Sequence, residues 1–390
     1  MRIQLVRTLQ GGEKLAGPVI TKENEILISE GTTLKTEYLD LISFLGIETV
    51  CIEDPYEEDE IPHDIISNEK REEYIEKIKS ILEKHIYHRG SSLREIEYVA
   101  EDIIQDVMQA DENMVIDLLE REGNLYEHTL VVTKLCIIVA KKMKLTAEQI
   151  YRLALGALLH DLGLRYITVP YINCDINELS EAEAFEYRKH PILAYSVLEE
   201  EKWMDPFVKK MVLVHHERRD GSGFPLKQKT RDTECGILQA CDAFDCFISG
   251  MECRRMSIQQ ALEYLVEGTD IFYDRRIVRA IERLVARYPV GTRVRLNTGE
   301  SGIVLKQTEN SIRPVIRILD EENRLTEKVY QLNKNKNVSI LQVENKKQKE
   351  VRIENAQISK SHRVQSYYKR TAAAYFCRYY KRTDGSEGCT

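Results

Sequence analysis

The stretch Ala147–Gly163 reads AEQIYRLALGALLHDLG, and its last residues decide what kind of fold the chain must build. The run is more apolar than a surface helix, which predicts a helix inside a bundle. His160-Asp161 then falls at the end of a buried helix. An isolated carboxylate there would cost several kcal/mol or take up a proton. A bound cation removes the conflict by keeping Asp161 charged.

Outward from this pair, five of the nine histidines lie between positions 128 and 216. His128 sits in NLYEHTLVV, His190 in YRKHPILAY, and His215-His216 closes PFVKKMVLVHHE, while Asp242 lies in LQACDAF. Singly, each is an ordinary core residue. Together, imidazoles from successive helices and a carboxylate are how a bundle builds a metal site in its core. Five imidazoles and two carboxylates exceed the roughly four ligands of a structural zinc and suit two metals bridged by one carboxylate. Asp161 is the natural bridge. Mixed imidazole and carboxylate ligands suit iron, manganese, zinc or cobalt.

The histidine pair opens VHHERRDGSGFP, residues 214–225. Consecutive side chains on a helix project about 100° apart, so two neighbours reach one centre only from a helix end. Gly221 and Gly223 then let the backbone leave sharply, and the loop can border a substrate.

The expected architecture is mainly α. A small α/β unit covers 1–54, with Leu39, Ile42, Phe44 and Leu45 at roughly helical spacing. An acidic linker and amphipathic helices occupy 55–110, and an all-helical bundle 111–286. After Tyr288-Pro289, the short runs TRVRL, GIVLKQ, RPVIRIL and VSILQV predict a small β-barrel or sheet over 287–344. The remainder, 345–390, holds YYKRT twice and is expected to be a disordered polar, basic tail.

Composition narrows the class. With 390 residues, 43% apolar and 31% charged, the chain suits a soluble protein with several cores. The start, MRIQLVRTLQGGEK, lacks a signal-peptide core, and no run approaches the roughly 20 apolar residues of a membrane span. A cytoplasmic protein is expected. Nine cysteines without a C-x-x-C pair read as small buried hydrophobes in a reducing compartment. A net charge of −8 argues against nucleic acid as a partner and leaves room for an anionic small molecule where positive charge is local.

The order His128, His160-Asp161, His190, His215-His216, Asp242 resembles the HD-GYP branch of the HD phosphohydrolase superfamily. VHHERRDGSGFP is similar to that family's HHE and DGxGYP-type loop, and DAFDCFIS (242–249) to its metal-ligand aspartate segment. The likeness covers about 110–286. It implies an HD-type helical domain that hydrolyses cyclic di-GMP to pGpG or GMP. It also implies two divalent metals, iron or manganese foremost, held by His128, His160, Asp161, His190, His215, His216 and Asp242. A hydroxide shared by the metals would attack phosphorus, giving His160 and Asp161 catalytic roles. Asp245 and Arg254 match substrate-contact positions, and Arg218, Arg219, Gly221, Gly223 and Phe224 belong to the loop that borders the substrate.

Three departures accompany the likeness. Leu164 replaces the family's usual lysine, with Arg165 one place later as its expected substitute near the phosphate. Phe224 replaces a tyrosine, and Asn124 stands where some members carry a third-metal glutamate. Two further readings therefore stay open: a degenerate domain that binds cyclic di-GMP or a partner with little turnover, and an HD enzyme for another cyclic dinucleotide or nucleotide. The N-terminal unit and the β module leave room for a homodimer or a protein partner.

Overall fold

The computed structural model describes residues 2–344 apart from 7–8, 21–25, 48, 54–64, 89–92, 112, 119–120, 122, 173, 177 and 322–324. The acidic stretch after residue 53 and the tail with its two YYKRT copies lie outside the described residues.

At the N-terminus, β1 (Arg2–Leu5) pairs antiparallel with β4 (Thr49–Ile52), and β2 (Val19–Ile20) with β3 (Ile26–Ile28). Helix α1 (Thr36–Phe44) closes a small core with Leu39 and Ile42, beside Leu15, Leu34 and Val50. Phe44 and Leu45, expected on the same face, are exposed instead. Positions 39 and 42 are one helical turn apart, whereas 44 lies two residues on and points away.

The second and largest core belongs to the helices. In chain order these are α2 (Asn68–Tyr87), α3 (Ile96–Met108), α4 (Leu125–Lys142), α5 (Ala147–Leu159), α6 (Glu181–Tyr187), α7 (His190–Glu199), α8 (Pro206–Val214), α9 (Thr233–Ser249), α10 (Ile258–Glu267) and α11 (Arg275–Leu284). α2 and α3 join the same apolar core as the later helices. α4 is its axis: every residue from His128 to Ala140 is buried, and α2, α3, α5, α9 and α11 pack around it. Such a helix cannot end by exposing its first amides to an apolar interior. Asn124 caps it, its side chain accepting from Tyr126 N and Glu127 N at 3.0 and 3.2 Å. α5 begins with a capping box of Thr146 and Gln149. Among the described residues, no helix is long and apolar enough to cross a membrane.

The C-terminal strands β5 (Arg293–Leu296), β6 (Ser301–Lys306), β7 (Val315–Leu319), β8 (Leu325–Gln331) and β9 (Ile340–Val343) form one antiparallel sheet in the order β8-β7-β6-β5-β9. The barrel alternative is corrected here. β8 and β9 occupy opposite edges and do not pair, so the sheet stays open. Its inner face carries Val294, Leu296, Val304, Ile316 and Ile318. The sheet is tied to the bundle through buried Asp117, which accepts from Val290 N at 3.0 Å and Gln307 Nε2 at 2.8 Å.

Candidate metal centre

Five helices aim side chains at one buried point. His128 comes from the first turns of α4, and His160-Asp161 follows the last residue of α5. His190 opens α7, His215-His216 follows α8, and Asp242 projects from the middle of α9. All seven side chains are buried. The turns are short because backbone must approach backbone: a Cβ on Gly163 would lie 1.9 Å from the His190 carbonyl oxygen.

The hydrogen bonds fix the tautomers. Nδ1 of His160 lies 2.7 Å from Ala157 O, that of His190 2.8 Å from Tyr187 O, and that of His215 2.6 Å from Val212 O. A carbonyl only accepts, so each Nδ1 carries the proton and each Nε2 presents a lone pair. These Nε2 atoms converge. His128 and His160 approach to 3.2 Å, His190 and His215 to 3.2 Å, and His190 and His216 to 3.1 Å. Lone pairs so close repel unless a proton or a cation stands between them.

Asp161 supplies the second observation. Both its oxygens are buried without a hydrogen-bond partner. Oδ2 lies 3.5 and 3.4 Å from Nε2 of His128 and His160, while Oδ1 lies 3.6 and 3.5 Å from Nε2 of His190 and His215. The carboxylate thus spans two groups of imidazoles, as a bridge should. Asp242 Oδ1 joins the first group at 3.3 Å from His128 Nε2 and 3.6 Å from His160 Nε2. Buried orphan oxygens facing convergent imidazole nitrogens are a donor set for divalent metal, and the residues present fit two ions.

Electrostatics divides the site. Burial works against protonation of His128, yet Asp242 and Asp245 override it and draw its pKa up to about 9. Burial and the neighbouring His216 push His190 down to about 3. Burial would raise Asp161 and Asp242, but the surrounding imidazoles hold both well below the ordinary carboxylate range.

Next to the ligands opens a cleft lined by His216, Asp242, Arg218, Phe224, Phe247, Tyr264, Phe272 and Tyr273. Arg218 lies over the Tyr273 ring, its guanidinium carbon 5.4 Å from the centroid. The loop geometry is tight at two glycines. Gly221 has φ +86°, and a Cβ on Gly223 would stand 2.3 Å from both Glu217 Cα and His216 O. Phe224 stacks on His216 with centroids 4.4 Å apart. Glu217 holds the loop from within, its Oε1 accepting from Leu226 N at 2.6 Å and its Oε2 from Gln228 N at 3.0 Å.

Several expected substrate contacts sit elsewhere. Asp245 is fully buried beside His128: Oδ2 lies 2.7 Å from His128 Nδ1, and Arg121 Nη2 donates to both oxygens. It holds His128 in place and does not line the cleft, because the three-residue step from Asp242 carries it toward α4. Arg165 forks onto Glu83 of α2 at 2.6 and 3.0 Å, Arg219 pairs with Asp274 at 3.0 Å, and exposed Arg254 pairs with Glu178 at 2.8 Å. Sequence reasoning missed Arg121, the aromatic walls and Glu252, a buried carboxylate 3.3 Å from His216 Nε2. Nothing in the run GMECRR distinguishes Glu252, whose position only the tertiary fold reveals.

Residues 113–277 match a family model described as an HD domain. Over 190 residues the chain is 30% identical to the cyclic di-GMP phosphodiesterase PA4108 of Pseudomonas aeruginosa, covering 48% of this chain and 45% of that one. Over 231 residues it is 24% identical to the cyclic di-GMP phosphodiesterase response regulator RpfG of Xanthomonas campestris pv. campestris, covering 53% and 60%. The chain thus spans about half the length of these curated relatives. Among solved structures, Bd1817, an HDG"Y"P protein from Bdellovibrio bacteriovorus, aligns with a TM-score of 0.45 at 17% identity over 72% of this chain and 97% of that one. The five helices whose side chains converge all lie within residues 113–277, the segment that matches the HD domain model.

Proposed function

We propose that the HD domain is a metal-dependent phosphodiesterase that opens cyclic di-GMP to pGpG, GMP or both. The observation that carries this reading is the pair of orphaned Asp161 oxygens between two groups of imidazole lone pairs, placed beside an open cleft. The names of the aligned relatives favour cyclic di-GMP as the substrate.

His128, His160, Asp161 and Asp242 would hold one ion, and His190, His215 and His216 with the other oxygen of Asp161 the second. Bound divalent ions supply Lewis acidity to a phosphodiester and lower the pKa of coordinated water. The remaining tasks fall to the chain. Arg218 offers a guanidinium on the cleft wall where a phosphate can meet it. Phe247, Tyr264, Phe272 and Tyr273 give apolar surface on which a purine can rest. Glu217 and Gly223 fix the loop so that Phe224 holds His216 in place. Arg121 and Asp245 fix His128 from behind.

The degenerate reading rests on a separate observation. Leu164 is 1% exposed within the apolar core, and Arg165 is committed to Glu83. Among the described residues, the turn after His160-Asp161 therefore offers the cleft no cation in place of the family's lysine. Full-length protein purified without oxygen, with its metals quantified and cyclic di-GMP supplied, tests both readings. Linear product supports the enzyme; bound metals and bound dinucleotide without product support the degenerate domain.

A further inference from the structure

The two halves of the metal centre are unequal in charge. The His128/His160 half has Asp242 of its own and one oxygen of Asp161. The half formed by His190, His215 and His216 has only the other Asp161 oxygen among the expected ligands. Asp242 does not fill the deficit: its second oxygen stands 3.9 Å from His216 Nδ1, whereas the nitrogen turned toward His190 is Nε2. A divalent ion held by three neutral imidazoles and half a carboxylate would keep most of its charge in a buried place, which is costly.

Glu252 is placed to make up the difference. It is 8% exposed, and its Oε1 is buried without a hydrogen-bond partner. That oxygen lies 3.3 Å from His216 Nε2. Two donors on one ion, with bonds of about 2.1 Å at angles near 90–109°, stand about 3.0–3.4 Å apart. The backbone is built around this placement. Glu252 adopts φ +62°, a conformation that non-glycine residues rarely take, and its N–H donates to Tyr171 O at 2.5 Å.

We infer that Glu252 is a ligand of the ion bound by His190, His215 and His216, giving each half of the centre one carboxylate of its own. This rests on the metal-centre reading above. Asp161, His190, His215 and His216 form a group whose ligand atoms lie within 4.8 Å of one another, and Glu252 touches that group at His216. A small movement of the Glu252 side chain toward His190 on metal binding is part of the inference.

The test is Mn2+ binding by the full chain, read by calorimetry, by metal analysis after desalting and by the electron paramagnetic resonance of the bound ions. The parent is compared with Glu252→Gln and Glu252→Ala, each checked for an unchanged circular dichroism spectrum. The glutamine keeps the shape and polar contacts of the glutamate and isolates the loss of a charged ligand. The parent is expected to retain about two ions. Both variants should retain one, with the weaker site at least about tenfold weaker and the spin-coupled signal of a pair lost. Two ions of parental affinity in Glu252→Gln would overturn the ligand role while leaving the metal centre standing. A parent that binds no Mn2+ would overturn both.

Discussion

The two turns that deliver ligands to the centre share one task and differ in another. After His215-His216 the chain runs into a loop in which Arg218, Gly223 and Phe224 border the cleft. After His160-Asp161 it tightens into a 3-10 turn, Leu162–Tyr166, that buries Leu164 and sends Arg165 to Glu83. Both turns bring buried histidine and aspartate or a histidine pair to the centre. Among the described residues of the two turns, only Arg218 places a cation at the cleft. On the proposed reading, holding metal and gripping phosphate are separable tasks, and the two turns differ in the second.

The largest effect is expected from restoring a lysine at position 164. Leu164→Lys places an ammonium in the apolar core, at an expected cost of about 3 kcal/mol or more. Thermal denaturation should show a fall of several degrees without a gain in turnover. A rise in turnover at unchanged melting temperature would mean that the side chain at 164 reaches the cleft after all. On the other turn, Gly223→Ala drives a methyl into Glu217 and His216. The loop must shift by an ångström or so, which should lower kcat about 100-fold while bound metal is retained.

A paired substitution measures the asymmetry itself. Arg218→Ala should lower kcat/KM for cyclic di-GMP roughly tenfold, mostly through KM, as loss of a charged hydrogen bond does. Arg165→Ala should change kcat/KM by less than about threefold. Equal losses from the two would erase the distinction between the turns. The smallest effect lies outside the site. Lys70 and Tyr74 bond to Asp106 at 2.6 and 2.8 Å and, against the opposing pull of burial, hold its carboxyl below the ordinary range. A lowered folded-state pKa means stability that is present above about pH 4 and lost as pH falls through the folded value. Asp106→Asn should cost no more than about 1 kcal/mol at pH 7, since Lys70 is half exposed, and the difference should close in acid. Denaturant melts at pH 7 and pH 3 measure it.

The buried convergence of the seven residues was legible because residue type and position alone carry it. A histidine or aspartate inside an apolar helix needs a reason, and seven of them in helical runs share one. The helical body and its change to strands after Tyr288 were legible from periodicity. What escaped needed three dimensions. Asp245, three residues past Asp242, reads as facing the same cleft until His128 and Arg121 are seen to enclose it. Arg165 lies beside the missing lysine in sequence, but one step along a 3-10 turn rotates a side chain by about 120°, here toward α2. Glu252 carried no local sign because its partner is 36 residues earlier in the chain. Closure of the sheet was likewise undecidable, since strand runs show length and facing but not which edges meet.

The most direct test of the central claim compares the parent with Asp161→Ala, both full-length and purified without oxygen. Divalent metal per chain and turnover of cyclic di-GMP are read on the same samples. The parent is expected to hold about two ions and give linear product, and Asp161→Ala to lose both. Hydrolysis of cyclic di-GMP that persists in Asp161→Ala, or a parent that neither binds metal nor turns the dinucleotide over, would contradict that claim.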